Sequence, residues 1–434
     1  MDRARHRPRS AFVRMLSPLR DFVATESAGA VLIAAGAVAA LVWANSPWSG
    51  SYESLWSSRF SITAAGHTLD LDLRHWLNDG LMTLFFLVVG LEIKREMTDG
   101  HLANRRSAAL PMVAALGGMI APALIYLAIA GGTASRGWAI PMATDIALAV
   151  GVLAIAGSRL PTSLRAFLLG LAIVDDIGAI VIIAAIYSTG LSWGWLAAAV
   201  VTLLIVVAVR WAGVHALGVY VVLGSVVWFA LHEAGVHPTL AGVALGLLAP
   251  SVPRLSADYI DADEVADLSS VQAARTTTEI AKGSVSVVEW LQHVLHPWTS
   301  YLIVPVFALA NAGIEISGHG LRDALVSPIA WGVFAGLLFG KPLGVLAAVA
   351  VSVRVGVTDT PPGARKVQMV GIGTAAGIGF TVAIFITELA LTDPSQQASA
   401  KLAILAASVV AAAVSAVLLR LGPLTNAAPD TNDE

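Results

Sequence analysis

Long apolar stretches alternate with short charged or Gly- and Pro-containing segments along almost the whole chain. An apolar stretch of about 20 residues is long enough for a helix to cross the hydrocarbon core of a membrane. The pattern predicts twelve such helices, at roughly 26-44, 76-96, 108-130, 138-156, 164-187, 193-209, 215-231, 237-249, 297-312, 329-351, 369-390 and 399-419. The eighth and ninth are shorter than the usual minimum, so protein must surround their ends. We therefore expect an all-α polytopic membrane protein.

The composition supports this expectation and excludes other classes of protein. Of 434 residues, 57% are hydrophobic and 13% are charged, whereas about a quarter of the residues of a soluble domain are charged. A net charge of -3 offers no basic face for nucleic acid, and the absence of cysteine excludes disulfides, thiolate nucleophiles and zinc-thiolate sites. The chemistry must therefore use carboxylates, histidines, hydroxyls and backbone groups, and we expect no soluble enzyme.

The distribution of Lys and Arg predicts the orientation. Twenty of the 26 cations fall in the two termini and alternate loops, and five fall in the opposite loops. Because cytoplasmic loops are rich in Lys and Arg, both termini should be cytoplasmic. We expect a basic N-terminal tail over 1-25, a single transmembrane domain over 26-420 and a C-terminal tail over 421-434.

Two segments between the predicted helices are longer than the other connections and have a distinct composition. The external segment 59-73 alternates apolar and polar residues on both sides of Ala-Ala-Gly, which is typical of a short β-hairpin. Its apolar face suggests a partner surface, although packing on its own subunit is an equal alternative. The cytoplasmic segment 251-296 is acidic and is expected to be a solvated loop with some helix.

Charged residues within the predicted helices are the candidate functional residues, because each is costly in a membrane. Asp175 and Asp176 lie about 11 residues into the fifth helix, about 16 Å from its start. Adjacent helical residues differ in direction by about 100°, so the two carboxylates cannot approach one ligand identically. Apolar sequence on both sides argues against a helix cap. Two carboxylates at this depth can exchange a proton for a cation near neutral pH.

Asp145 and Lys341 are the other charges at depth. Asp145 lies about seven residues inside the fourth helix, after Pro141 and Thr144, which predicts a break in that helix. Its carboxylate could stabilise the N–H groups at the start of a half-helix. Lys341 lies about 12 residues into the tenth helix and is the remaining one of the 26 cations. It either pairs with a carboxylate or balances the negative C-terminal ends of broken helices.

A glycine-rich sequence, GIGTAAGIGFT, begins the eleventh helix. Glycines at this spacing are common at close helix contacts, and they also fit an unwound stretch whose carbonyls line a cavity. The fourth and eleventh helices are each second in a triplet, and the two triplets have opposite predicted orientation. This arrangement is typical of inverted repeats with two broken, crossing helices and an ion site at the midplane.

The motifs of the chain resemble those of the NhaA family of Na+/H+ antiporters. The matching segments are FFLVVGLEIKREM, PMATDIALAVGVLA, LAIVDDIGAIVIIA, GVHPTLAGV, HVLHPWTSYLIVPVFALANAG, FGKPLG and GIGTAAGIGFTVAIFI. The resemblance implies alternating-access export of Na+ or Li+ in exchange for protons, with electrogenic transport and regulation by pH. It implies a multi-pass protein of the bacterial inner membrane that uses no cofactor and forms a homodimer through the external hairpin.

The resemblance also implies roles for individual residues. Asp175 and Asp176 would bind the proton and the transported metal ion, supported by Asp145, Thr144, Lys341 and Gly377. Four further positions, Glu92, Glu96, His293 and His296, match the cytoplasmic funnel and the pH-responsive region. The family usually has an acidic residue before the first of these histidines, and this chain has Gln292.

Two other functions use similar residues. An intramembrane aspartyl protease needs two aspartates that face each other from separate helices, but the glycine-rich helix has no aspartate and Lys341 has no part in that chemistry. A proton-coupled carrier of another cation or a small solute is the second alternative. Such a site should offer aromatic or Arg side chains, whereas the fourth, fifth and eleventh helices offer carboxylates, Thr and backbone groups.

Overall fold

The computed structural model describes residues 27-64, 67-100, 102-156, 160-188, 190-214, 216-252 and 285-421. These residues are mostly helical. The helices are α1 (Ser27–Ala44), α2 (Ser49–Trp56), α3 (Leu73–Thr98), α4 (Arg105–Ala134), α5 (Ile146–Ala156), α6 (Thr162–Ile186), α7 (Trp193–Trp211), α8 (Leu217–Glu233), α9 (Leu240–Leu248), α10 (Val287–Asn311), α11 (Gly318–Val326), α12 (Pro328–Arg354), α13 (Lys366–Ala376), α14 (Phe380–Ala390) and α15 (Pro394–Arg420). The predicted tail 1-25, nearly all of 421-434 and most of the acidic segment lie outside the described residues.

Within the described residues, seven helices are long and apolar enough to cross a membrane. The number rises to nine if each of two bent helix pairs, α1 with α2 and α13 with α14, is counted as one span. The axes bend by 116° in the first pair and by 41° in the second. The protein is therefore a multi-pass membrane protein, while the predicted total of twelve spans stays a prediction.

The ninth predicted helix is longer than its sequence pattern indicated. The pattern started it at 297, but α10 begins at Val287 and runs for 25 residues. The Ser286 side chain accepts a hydrogen bond from the backbone N–H of Glu289 at 3.1 Å, and this N-cap starts the helix. The first turns of α10 pack against α3. The prediction of a short ninth helix is therefore wrong. The first turns of α10 carry the exposed polar residues Glu289, His293 and His296, so they do not continue the apolar stretch from which the helix was predicted.

The eighth predicted helix is short, as expected, because α9 has nine residues. It packs closely against α3, where a Cβ at Gly90 would lie 2.7 Å from the Val243 carbonyl oxygen. Another helix of the protein therefore contacts α9 on at least one side.

The segment 59-73 contains the predicted β-hairpin. Strand β1 (Arg59–Ala64) pairs antiparallel with β2 (His67–Asp72), with Phe60 opposite Leu71. The indole Nε1 of Trp76 donates to the carbonyl of Phe60 at 2.8 Å. This bond ties the hairpin to the start of α3, while the tip at 65-66 lies outside the described residues.

Close packing of α4 against α12 directs Lys341 into the protein. A Cβ on Gly117 or on Gly344 would clash with the backbone carbonyl of the other residue, so both positions need glycine. A π-helical turn, Gly336–Gly340, immediately precedes Lys341. Pro342 contributes to this irregularity because it has no N–H to donate to the preceding turn.

Candidate functional site

Two helical segments are interrupted in the protein interior, and the interruptions lie against each other. A 3-10 helix, Ser135–Met142, follows α4, and residues 143-145 are not helical before α5 begins. The second interruption separates α13 from α14 at residues 377-379. The backbone N–H of Asp145 donates to the Ile378 carbonyl at 2.6 Å. Hydrogen bonds that neither segment can make within a helix are thus made between the two segments.

Asp145 lies at the start of both half-helices. Its Oδ1 accepts from the backbone N–H of Leu148 in α5 at 3.1 Å. Its Oδ2 accepts from the backbone N–H of Thr381 in α14 at 3.1 Å and from the Thr381 hydroxyl at 2.6 Å. One buried carboxylate therefore faces the positive N-terminal ends of two half-helices.

Asp175 lies on α6 and faces Lys341 of α12. The Lys341 Nζ is 2.6 Å from Asp175 Oδ2, and both side chains are completely buried. Lys341 also donates to the carbonyl of Met142, at the C-terminal end of the 3-10 helix. Both alternatives for Lys341 are thus present, since it pairs with a carboxylate and also meets the negative end of an interrupted helix.

Thr144 connects Asp175 to both interruptions. Its hydroxyl lies 2.7 Å from Asp175 Oδ2 and 2.9 Å from the carbonyl of Ala376, the last residue of α13. A hydroxyl has a single proton, so these two oxygens share or compete for it. One hydroxyl therefore joins Asp175 to the end of α13.

Asp176 differs from its neighbour because no cation pairs with it among the described residues. The residue is 5% exposed, and its Oδ1, like that of Asp175, is buried without a hydrogen-bond partner in this part of the chain. Asp175, Glu92 of α3 and Asp145 repel its negative charge, and Lys341 attracts it without forming a salt bridge. The two adjacent carboxylates thus have unlike surroundings, as the difference of about 100° in their directions predicts.

Gly377 ends α13 at a point of close contact. A Cβ there would clash with the carbonyl of Leu337 in the π-helical turn of α12, and would lie 3.1 Å from the Thr374 carbonyl. The φ angle of Gly377 is -73°, so the need for glycine comes from space and not from backbone conformation.

The four residues assigned to the funnel and the pH response lie on α3 and α10, which pack against each other. Glu92 and Glu96 are partly buried, and His293 and His296 are exposed. Of the four, Glu92 acts electrostatically on Asp176. Gln292 is buried, and its Oε1 has no hydrogen-bond partner within the described residues.

The charged members of the site are the ones that the sequence predicts, whereas several of their partners have no sequence signal. The backbone carbonyls of Met142, Ala376 and Ile378 carry no side-chain signal. Thr381 is one of two threonines in the glycine-rich segment, and nothing in the sequence distinguishes it from the other. Its hydrogen bond to Asp145 forms because two segments that are distant in sequence pack together. Among the described residues, no group of three or more His, Cys, Asp or Glu side chains could hold a resident metal ion.

Comparison with known proteins identifies the family. The family model described as Na+/H+ antiporter 1 matches residues 20-419. The chain is 46% identical to the Na(+)/H(+) antiporter NhaA 3 of Frankia alni, over 93% of this chain and 88% of that protein. It is 43% identical to the Na(+)/H(+) antiporter NhaA of Oleidesulfovibrio alaskensis, over 94% of each. Na+/H+ antiporters are transporters and not enzymes, and they carry Na+ and H+ without a cofactor. The chain therefore belongs to the NhaA family of Na+/H+ antiporters.

Proposed function

We propose that this protein exports Na+ or Li+ from the cytoplasm in exchange for protons, by alternating access to a single site at Asp175 and Asp176. The observation that carries the proposal is the pair of adjacent, buried carboxylates beside two interrupted helical segments. Protons and cations compete for the same carboxylates, so binding of one releases the other. The transport cycle follows if the site faces the cytoplasm when it binds the cation and the outside when it binds protons.

The two aspartates have different roles in this proposal. Each aspartate offers one buried oxygen, Oδ1, without a hydrogen-bond partner among the described residues, and Asp176, which has no salt bridge there, receives the cation first. The Oδ2 of Asp175 already contacts Lys341 and Thr144. The Oδ1 of Asp175 has no hydrogen-bond partner among the described residues, so a cation can use one oxygen of each carboxylate, beside the contact through which Thr144 joins Asp175 to α13. Water, hydroxyls or carbonyls would supply the other oxygen ligands that Na+ requires.

Asp145, Lys341 and Gly377 support the site in this proposal. The carboxylate of Asp145 compensates the positive N-terminal ends of α5 and α14. The positive charge of Lys341 compensates the carboxylate of Asp175 and the negative C-terminal end of the 3-10 helix. Gly377 permits α13 to end against α12. None of the three needs to bind the transported ion.

The energy for export comes from the proton gradient and the membrane potential. Each pH unit across the membrane supplies about 1.4 kcal/mol per proton. The potential adds about 2.3 kcal/mol per 100 mV for each net charge that moves. If more protons enter than sodium ions leave, transport is electrogenic and the potential also drives export.

The proposed topology has twelve spans in the bacterial inner membrane, with both termini cytoplasmic. The segments α4 to α6 and α12 to α15 would form inverted repeats, each with an interrupted helix at its centre. The positions of the two interruptions and the excess of Lys and Arg in alternate loops support this topology. In the same proposal the tails 1-25 and 421-434 and the acidic segment that precedes α10 face the cytoplasm.

The external hairpin is the proposed surface for homodimer formation. Phe60 and Ile62 on β1 are 58% and 43% exposed. A second copy that paired with this hairpin would cover these side chains and extend the sheet. Lipid is the proposed partner of the exposed apolar residues on the membrane-spanning helices.

Regulation by pH is proposed for the cytoplasmic side of α3 and α10. Glu92 links this region to Asp176 electrostatically, while Glu96, His293 and His296 lie on the same two packed helices. The neutral Gln292 removes a charge from a buried position, so we expect a pH profile that differs from that of relatives with a carboxylate there.

The proposal is tested in everted membrane vesicles with a fluorescent pH probe. The wild-type protein should give dequenching on addition of Na+ or Li+. It should give a weak response to K+ and no response to organic solutes. The Asp176→Asn variant should lose the response, while the control Asp323→Asn, at an exposed position on α11, should keep it. Full activity of Asp176→Asn would exclude Asp176 from the site, and a response to an organic solute would favour a different carrier.

A further inference from the structure

Thr381 makes a contact that distinguishes it from another buried threonine of the same helix. Its hydroxyl donates to Asp145 Oδ2 at 2.6 Å, and its backbone N–H donates to the same oxygen at 3.1 Å. The Thr387 hydroxyl instead donates to the Ala383 carbonyl of its own helix at 2.8 Å. Thr381 is the second residue of α14, so the residue four positions earlier lies outside this helix. Its hydroxyl therefore bonds across to the other interrupted segment.

The Thr381 hydroxyl is one of the donors that hold the Asp145 carboxylate. Backbone N–H groups, among them those of Leu148 and Thr381 in the first turns of the two half-helices, are the others. The hydroxyl is the shortest of these contacts, and bonds to a charged acceptor are the stronger class of hydrogen bond. Among the described donors to Asp145 it is the side-chain donor, so a substitution can remove it without changing a backbone N–H.

A short chain of contacts joins Thr381 to the ion site. Thr381 holds Asp145, and Asp145 is adjacent in sequence to Thr144, whose hydroxyl lies 2.7 Å from Asp175 Oδ2. The Asp145 backbone is held at the same time by the Ile378 carbonyl. The carboxylate that Thr381 holds is thus on the residue next to the one whose hydroxyl contacts Asp175.

We propose that Thr381 is a positioning residue for cation binding, which rests on the proposed function of Asp175 and Asp176. Its hydroxyl fixes the Asp145 carboxylate between the starts of α5 and α14. Held there, the negative charge of Asp145 compensates the positive N-terminal ends of the two half-helices, and the carboxylate is kept from binding the transported cation. Thr144 and Asp175 are thereby kept in the geometry that the cation needs.

The test compares Thr381→Val, Thr381→Ser and the matched control Thr387→Val in everted vesicles. Valine keeps the branched shape of threonine but cannot donate a hydrogen bond, and serine keeps the hydroxyl. We expect Thr381→Val to raise the apparent KM for Na+ roughly tenfold, the usual order for loss of a hydrogen bond to a charged group. The maximal rate should stay within about twofold of wild type. Thr381→Ser should restore the KM, and Thr387→Val should leave it unchanged.

Several outcomes would overturn the inference. A wild-type KM in Thr381→Val would show that the hydroxyl does not position the site. Equal defects in Thr381→Ser and Thr381→Val, or in Thr381→Val and Thr387→Val, would indicate packing and not hydrogen bonding. If Asp176→Asn is inactive while Thr381→Val is normal, this inference fails and the proposed function stands. If Asp176→Asn is fully active, the proposed function itself fails.

Discussion

The ammonium group of Lys341 lies 2.6 Å from the carboxylate of Asp175, and neither side chain exposes any surface. The two residues come from different helices, α12 and α6, so their contact is a tertiary one. A buried ion pair contributes little net stability by itself, but removing one partner leaves an uncompensated charge in the interior. The contact therefore makes the stability of the fold depend on the same groups as the proposed ion site.

We expect Lys341→Met to destabilise the protein by about 3 kcal/mol, because Asp175 loses its cation and the Met142 carbonyl loses its donor. The double variant Lys341→Met with Asp175→Asn should recover part of this loss, since no unpaired charge is then buried. Thermal unfolding in detergent measures the effect. The control Arg354→Met, at an exposed position on the same helix, should unfold as the wild type does. Equal melting temperatures for Lys341→Met and wild type would contradict the buried pair.

Gly377 is expected to tolerate no side chain. In Gly377→Ala the new Cβ would clash with the Leu337 carbonyl, so α13 or the π-helical turn of α12 must move. Overpacking of this kind typically costs about 1–3 kcal/mol. The displaced Ala376 carbonyl would also lose its contact with Thr144. We expect Gly377→Ala to unfold at a lower temperature and to transport more slowly.

The control for this substitution is Gly132→Ala on α4, where an added Cβ meets nothing within 4 Å. This variant should match the wild type in both melting temperature and rate. Equal behaviour of the two alanine variants would show that the contact at Gly377 is not required.

The hairpin prediction concerns oligomeric state. Phe60→Lys together with Ile62→Lys places two cations on the exposed apolar face of β1, and two copies would then repel each other. We expect a larger monomer fraction in detergent by light scattering, with Na+ transport by the monomer retained. Ser61→Lys, on the opposite face of the same strand, is the control. A stable dimer in the double variant would exclude this face as the interface.

The charged members of the site could be predicted from the sequence because charge is rare within apolar helices. Asp145, Asp175, Asp176 and Lys341 each interrupt an apolar stretch, and all four are buried. Their partners could not be predicted, since the pairing of Thr381 with Asp145 joins residues 236 positions apart. The backbone carbonyls that face Lys341 and Thr144 are common to every residue type, so no sequence pattern marks them.

The limits of the helices were predictable only where the helix ends coincide with a change in polarity. The start of α6 at Thr162 is two residues from its predicted position, because Pro161 precedes an apolar stretch. The start of α10 at Val287 is ten residues from its prediction, because its first turns carry Glu289 and two histidines. In that segment capping by Ser286 and packing against α3 outweigh the low apolar content.

The central claim is that Na+ and protons compete for Asp175 and Asp176, and proton release on addition of Na+ to the purified protein tests it most directly. In weakly buffered detergent solution containing a pH indicator, NaCl should release protons from the wild type, whereas choline chloride should not. Asp176→Asn should release none under the same conditions, while Asp323→Asn should behave as the wild type does. Proton release by Asp176→Asn equal to that of the wild type would contradict the account.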